Sequence, residues 1–140
     1  MRCVLDTNVV VAALRSPAGA SAELLRLARA DTIVVLVNVA LALEYEATCL
    51  QPEHGQAAGL DEQEVRVFVD AVLAIARPIE SHYTWRPQLR DPADDLVLEA
   101  AVNGRASAIV TFNRRDFGKA PQRFGIDVLT PAETIRRISR

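Results

Sequence analysis

The chain predicts an α/β domain in three layers, with helices on both faces of a central parallel sheet. Short apolar, β-branched runs alternate with longer segments of helical period, the pattern of successive strand and helix units. The strand-like runs read as buried, which suits a parallel sheet covered on both sides. A length of 140 residues allows one domain with a sizeable core and leaves little room for a second.

The elements follow in order. Residues 2–6 read as a short buried strand, and residues 7–14 as a helix ended near Pro17 and Gly19. Residues 20–30 carry Leu24, Leu25, Leu27 and Ala28 at helical spacing, and residues 32–37 are β-branched. Asn38 caps a helix to about Leu50. The polar stretch from Gln51 to Gly59, broken by Pro52, Gly55 and Gly59, reads as the least structured part of the chain. Asp61 and Glu64 open a helix to about Ala76, with Val65, Phe68, Val69, Val72 and Leu73 on its apolar face.

The last third is more sharply punctuated. Asp91 followed by Pro92 starts a helix running to about Asn103-Gly104. Residues 107–111 and 126–129 read as strands, and Thr130-Pro131-Ala132-Glu133 is a capping box opening a terminal helix.

Composition narrows the class. Half the residues are hydrophobic and 24% are charged, as in an ordinary globular protein. No apolar run approaches the ~18 residues of a membrane span, and the N-terminus has no signal-peptide pattern. Cys3 and Cys49 lie in apolar stretches and read as reduced, buried thiols, consistent with a cytoplasmic protein. The net charge of -2 neither selects nor excludes nucleic acid.

Four acids in four separate segments carry the functional reading: Asp6, Glu44, Asp95 and Asp116. Carboxylates among apolar residues are costly to bury without positive compensation, and a hard divalent cation with oxygen ligands supplies it. The chain therefore reads as a metal-dependent enzyme acting on phosphate. Each acid also has a plainer meaning. Asp6 can simply cap the helix beginning at Thr7, Asp91 is a cap before it is a ligand, and Asp116 follows two arginines as a surface turn residue would. Asp94 falls where an acid serves the helix end, while Asp95, ~100° further round, is free to face a cleft. Periodicity does not separate Glu44 from Glu46. His54 and His82 read as surface residues, and no nucleophile elbow or glycine-rich phosphate loop occurs. Arg105, Arg114, Arg115, Lys119 and Arg123 surround the last acid and suit a nucleic-acid backbone or a solvated face.

Five segments, in this order, resemble the PIN-domain ribonucleases, and the VapC-like bacterial toxins among them. They are Val4-Leu5-Asp6-Thr7-Asn8-Val9, Leu43-Glu44, Asp91-Pro92-Ala93-Asp94-Asp95 with Leu98-Glu99-Ala100-Ala101, Val110-Thr111-Phe112-Asn113-Arg114-Arg115-Asp116-Phe117, and Gly125 to Glu133. The resemblance implies a PIN-like fold over residues 1–140 and cleavage of single-stranded RNA with Mg²⁺ or Mn²⁺. It also implies a homodimer neutralised by a small antitoxin protein. Carried over by motif, Asp6, Glu44, Asp95 and Asp116 are the catalytic acids, with Asp6, Asp95 and Asp116 holding metal and Glu44 orienting or deprotonating water. Thr7, Asn8, Asp94 and Asn113 support them, and Arg114 and Arg115 hold RNA. Asn113 stands where many members have another acid, which leaves one metal or two open.

Two other classes compete. A phosphatase of the haloacid-dehalogenase type also begins with a strand ending in Asp, but it has an acid where Asn8 stands. A non-catalytic partner-binding module is the second. The surface expected to join two copies is the apolar one carrying Leu24, Leu25, Val65, Phe68 and Leu73.

Overall fold

Five parallel strands are formed among the described residues: Arg2–Leu5 (β1), Val34–Val37 (β2), Arg77–Pro78 (β3), Ala108–Val110 (β4) and Asp127–Leu129 (β5). They lie in the order β3-β2-β1-β4-β5, so β1 occupies the middle of the sheet. Cys3, Val4 and Leu5 are buried completely there, between β2 on one side and β4 on the other. The computed structural model describes residues 1–80 and 87–139, which leaves the expectation for His82 outside the described residues.

Parallel strands need crossover connections, and helices supply them. Thr7–Arg15 (α1), Ala20–Arg29 (α2), Val39–Cys49 (α3), Pro52–Ala58 (α4) and Glu62–Ile75 (α5) fill the first half of the chain. Pro92–Asn103 (α6), Ala120–Arg123 (α7) and Pro131–Ile138 (α8) follow, with a 3₁₀ turn at Arg114–Phe117. The helices flank the sheet, giving the α/β architecture with a central parallel sheet that the alternation predicts. Among the described residues no helix is long and apolar enough to cross a membrane.

Local chemistry sets the boundaries. Asn38 caps α3 by accepting from the Leu41 N–H at 2.8 Å. Leu41, Tyr45 and Cys49, four residues apart, turn one stripe of that helix into the core. Asp61 with Glu64 and Thr130 with Glu133 each close a reciprocal capping box. Asp91 accepts from the Ala93 N–H at 2.8 Å, and Pro92, lacking an N–H, takes the first helical position.

Three expectations are corrected. The segment from Gln51 to Gly59 is not irregular: it forms α4, with Pro52 starting the helix and Gly59 ending it at φ 71°. The same residues that break a helix interior delimit a short helix when they stand at its two ends. His54 consequently faces inward in part, and its Nδ1 is buried with no hydrogen-bond partner. The apolar surface expected to join two copies is largely consumed within the chain. Leu24, Leu25 and Val65 are buried, and Phe68 and Leu73 pack partly against the core, because α2 and α5 lie against each other.

Both cysteines are free and buried. Burial pushes the Cys3 thiol up to about 12 and the Cys49 thiol to about 11, so neither is a nucleophile at neutral pH.

One buried polar contact ties helix to strand. The Tyr45 hydroxyl donates to the Leu5 carbonyl, one residue before Asp6. Tyr45 is fully buried, so Tyr45→Phe removes a donor where water cannot replace it. Equilibrium urea unfolding should show a loss of about 1 kcal/mol, and a change within error would show that the contact adds no stability.

Candidate active site

The carboxyl ends of β1 and β4 meet at Asp6. Its backbone N–H donates to the Val110 carbonyl at 2.9 Å, continuing the β1–β4 ladder by one residue. The side chain is only 8% exposed and is held by both oxygens. Oδ1 accepts from the Thr7 N–H at 2.8 Å, which makes Asp6 the cap of α1, and Oδ2 accepts from the Thr111 hydroxyl at 2.7 Å. Burial raises the Asp6 pKa, the Thr111 and Thr7 hydrogen bonds oppose that rise, and the charges of Asp116 and Asp91 add to it. Capping and site membership are thus compatible roles for one carboxylate.

Thr111 is the residue that sequence reading passes over. It is fully buried, and its hydroxyl accepts from the Asn113 N–H at 3.0 Å while donating to Asp6. The hydroxyl therefore fixes both the first acid and the start of the turn that carries Asp116. The only available signal was adjacency. Leu5 pairs with Val110, so the next residues along the parallel strands are Asp6 and Thr111.

The two neighbouring acids of α6 meet different surroundings. Asp94 lines the cleft, and burial raises its pKa to about 6, with Asp6, Asp91, Asp116 and Asp95 adding to the rise. Asp95 is buried, and both of its oxygens accept from the Gln88 N–H, at 3.1 and 3.2 Å. The cap is made by Asp91, which leaves Asp94 in the open first turn of the helix.

The cleft is a shallow cavity of about 540 Å³. Asp91, Asp94 and Asp116 stand on its walls together with Arg90, Arg115, Lys119 and Arg123. Acids and bases thus share one concavity although the whole chain carries a net charge of only -2. Arg114 is turned to the Glu133 carboxylate at 3.2 Å, while Arg115 lines the cleft. Asn113 is exposed and contributes its backbone N–H to Thr111. Glu44, like Asp6 and Asp95, is not among the residues lining this cavity. It is half-buried, and the Thr48 hydroxyl lies 3.4 Å from its Oε1. Glu46 lies 3.9 Å from Arg66, on a pairing of its own.

The donor set suits a hard divalent cation in kind. Asp6, Asp94 and Asp116 offer carboxylate oxygens, and Asn8, in the first turn of α1, has a buried Oδ1 with no hydrogen-bond partner. Among the described residues no group of three His, Cys, Asp or Glu side chains is placed to hold a metal ion. Mg²⁺ does not need one, since it keeps several waters and is held through one or two carboxylates.

Residues 2–115 match the PIN domain family, and the chain belongs to it. No curated protein matches the sequence. Among solved structures the chain is similar to VapBC2 from Rickettsia felis, bound to a DNA fragment from their promoter. The TM-score is 0.59 at 16% identity, over 93% of this chain and 98% of that one. At that identity the likeness is one of fold.

The raised Asp94 pKa has a stability consequence. Between its usual 3.8 and about 6 the unfolded chain ionises this carboxyl while the folded one resists. The metal-free protein therefore loses stability as pH rises through that window. Asp94→Asn should remove this component, leaving the variant more stable than wild type above pH 6 by about 1 kcal/mol after solvent screening. Thermal unfolding of both proteins from pH 4 to pH 7 tests it. Parallel curves would show that Asp94 is not held in a repulsive site.

Proposed function

We propose that this PIN-domain protein is a metal-dependent endoribonuclease that cleaves single-stranded RNA, and the toxin component of a type II toxin–antitoxin pair. The observation that carries this reading is a cleft lined by Asp94 and Asp116 together with four basic residues, with the charge of Asp116 also acting on the buried Asp6 at the strand end. An acidic centre alone would repel a polyanion. Here the acids are compensated by a cation when one is bound, and Arg90, Arg115, Lys119 and Arg123 receive the phosphates on either side.

Bound Mg²⁺ or Mn²⁺ supplies a water of lowered pKa and polarises the phosphoryl oxygen. The chain's part is to hold that centre in place. Asp6, Asp95 and Asp116 offer ligand oxygens directly or through water, and Asp94 supports them from the cleft wall. Thr111 and the Thr7 N–H keep the Asp6 carboxylate in one orientation, so its charge does not rotate away during reaction. Asn8 offers its unused carbonyl oxygen to a metal-bound water or a substrate hydroxyl. Glu44 of α3 is the acid assigned to orient or deprotonate the water.

A small antitoxin protein is the expected partner, by resemblance to the VapC-like toxins and by likeness of fold to the VapBC2 chain. Homodimerisation belongs to the same reading, with Val39 (77% exposed) and Leu43 (61% exposed), one turn apart on α3, as its apolar contact. The phosphatase alternative is dropped because the family match covers residues 2–115.

A labelled single-stranded RNA with added Mn²⁺ tests the activity. Asp6→Asn and Asp116→Asn should each lower the cleavage rate by at least ~100-fold, the scale on which a preorganised electrostatic group acts. Mn²⁺ at a hundredfold excess over its Kd should stabilise the wild type by ~2.7 kcal/mol, raising Tm by several degrees. Full cleavage by both variants would remove the assignment. A folded wild type that cleaves nothing with Mn²⁺ would favour a non-catalytic binding module.

A further inference from the structure

Phe112 is a large apolar side chain left in the open beside the first acid. Tyr45 and Phe117 are fully buried and Phe68 packs partly against the core, whereas Phe112 is 51% exposed. A lone exposed apolar residue is ordinary on a protein surface. What sets Phe112 apart is how its backbone is tied. Thr111 donates its hydroxyl to Asp6 at 2.7 Å and accepts the Asn113 N–H at 3.0 Å, so its Oγ bridges across Phe112. The Thr111 N–H is held as well, by the Leu129 carbonyl at 2.8 Å. The backbone on both sides of Phe112 is therefore fixed, while half of the residue stays open to solvent. One residue along and one strand across, by the rise and spacing of parallel strands, puts its Cα roughly 6 Å from that of Asp6. Of the two exposed aromatics among the described residues, Phe112 and Phe124, Phe112 is the one next to a residue that holds a site acid.

We propose that Phe112 is the platform on which one unpaired nucleobase of the RNA stacks, next to the phosphate that reaches the acids. The inference rests on the proposed function and names how the same site recognises its substrate. Every base has a π face, so a ring at this place takes any base and asks only that it be free. A base within a duplex is already stacked on its neighbours, and a splayed-out one is not. Preference for single strands then has a physical origin in one side chain. The cavity lined by Arg90, Arg115, Lys119 and Arg123 does not include Phe112, which gives phosphates and base separate seats. The other strongly exposed apolar residues, Val39, Leu43 and Val67, are aliphatic and offer no π face. Because the backbone around Phe112 is fixed beforehand, stacking has little chain to order, which favours binding.

The test measures steady-state cleavage with Mn²⁺ by the wild type, Phe112→Leu, Phe112→Tyr and Val67→Ala. The substrates are a single-stranded RNA oligonucleotide of mixed sequence and a set of the same oligonucleotide, each with one abasic position. Phe112→Leu keeps apolar bulk but loses the π face, and its KM should rise about tenfold, the scale of one base–aromatic stack. Phe112→Tyr keeps the ring and should stay near the wild-type KM. Val67→Ala removes exposed apolar surface from α5 and should change nothing. At one position, loss of the base should raise the wild-type KM by the same factor and add nothing in Phe112→Leu, whose stacking partner is already gone. A ring that merely supports the fold would give additive losses at every position, and that result would overturn the proposal. So would a wild-type KM in Phe112→Leu. If that variant instead changes the mass found by light scattering, the ring belongs to a contact between copies and the proposal is likewise overturned. A wild type that cleaves no single-stranded RNA removes the proposed function and the stack together, whereas a cleaving wild type matched by Phe112→Leu removes the stack alone.

Discussion

Much of the site depends on keeping one nearly inaccessible carboxylate, Asp6, charged and still. A buried carboxylate without donors would take up a proton or pull its strand end toward water. Each oxygen of Asp6 has a donor, the Thr7 N–H and the Thr111 hydroxyl, which hold it in place and oppose the rise in pKa that burial imposes. The donors come from different parts of the chain, one from the helix that follows β1 and one from the end of β4. The hydrogen bonds that solvate Asp6 therefore also join α1 to β4. The position of Asp116 is a second-order result of the same arrangement, since Thr111 receives the Asn113 N–H at the head of the turn that bears it.

Thr111 explains why fold and site differ in how far they can be read from sequence. Strand and helix positions were legible because each is written locally. Asp91-Pro92, Asp61 with Glu64 and Thr130 with Glu133 announce helix starts within four residues, and all three caps form. The 3₁₀ turn at Arg114–Phe117 and the two-residue strand β3 were not legible, being too short for any period to show. The α4 segment misled because proline and glycine were weighed as breakers rather than as boundaries. Site membership is different in kind. That Thr111 stands beside Asp6 follows from the pairing of β1 with β4, which lie over a hundred residues apart in sequence and next to each other in the sheet.

The choice between Asp94 and Asp95 shows the same limit at smaller scale. Helical geometry states that two neighbours face different ways, but not which one faces the cleft. That is decided by what approaches from outside the helix. Asp95 meets the Gln88 N–H, and Asp94 meets the charges of Asp6, Asp91 and Asp116. Glu44 sits beside a structural anchor: Tyr45 donates to the strand end, and the Glu44 carboxylate lies 3.4 Å from the Thr48 hydroxyl.

The two borders of the sheet bear on how the protein behaves at high concentration. An open sheet ends in strands whose outer backbone groups are unpaired, a template on which foreign chains can add. Here one border is β3, only two residues long, exposed, and made of Arg77 and Pro78. Proline offers no N–H to an incoming strand, and a charged neighbour discourages stacking. The opposite border, β5, is three residues long and begins with Asp127, which Arg137 of α8 reaches at 2.7 Å. Both rims are thus short and each carries a charged residue, features that discourage strand-by-strand addition even though Val39 and Leu43 are exposed elsewhere on the chain.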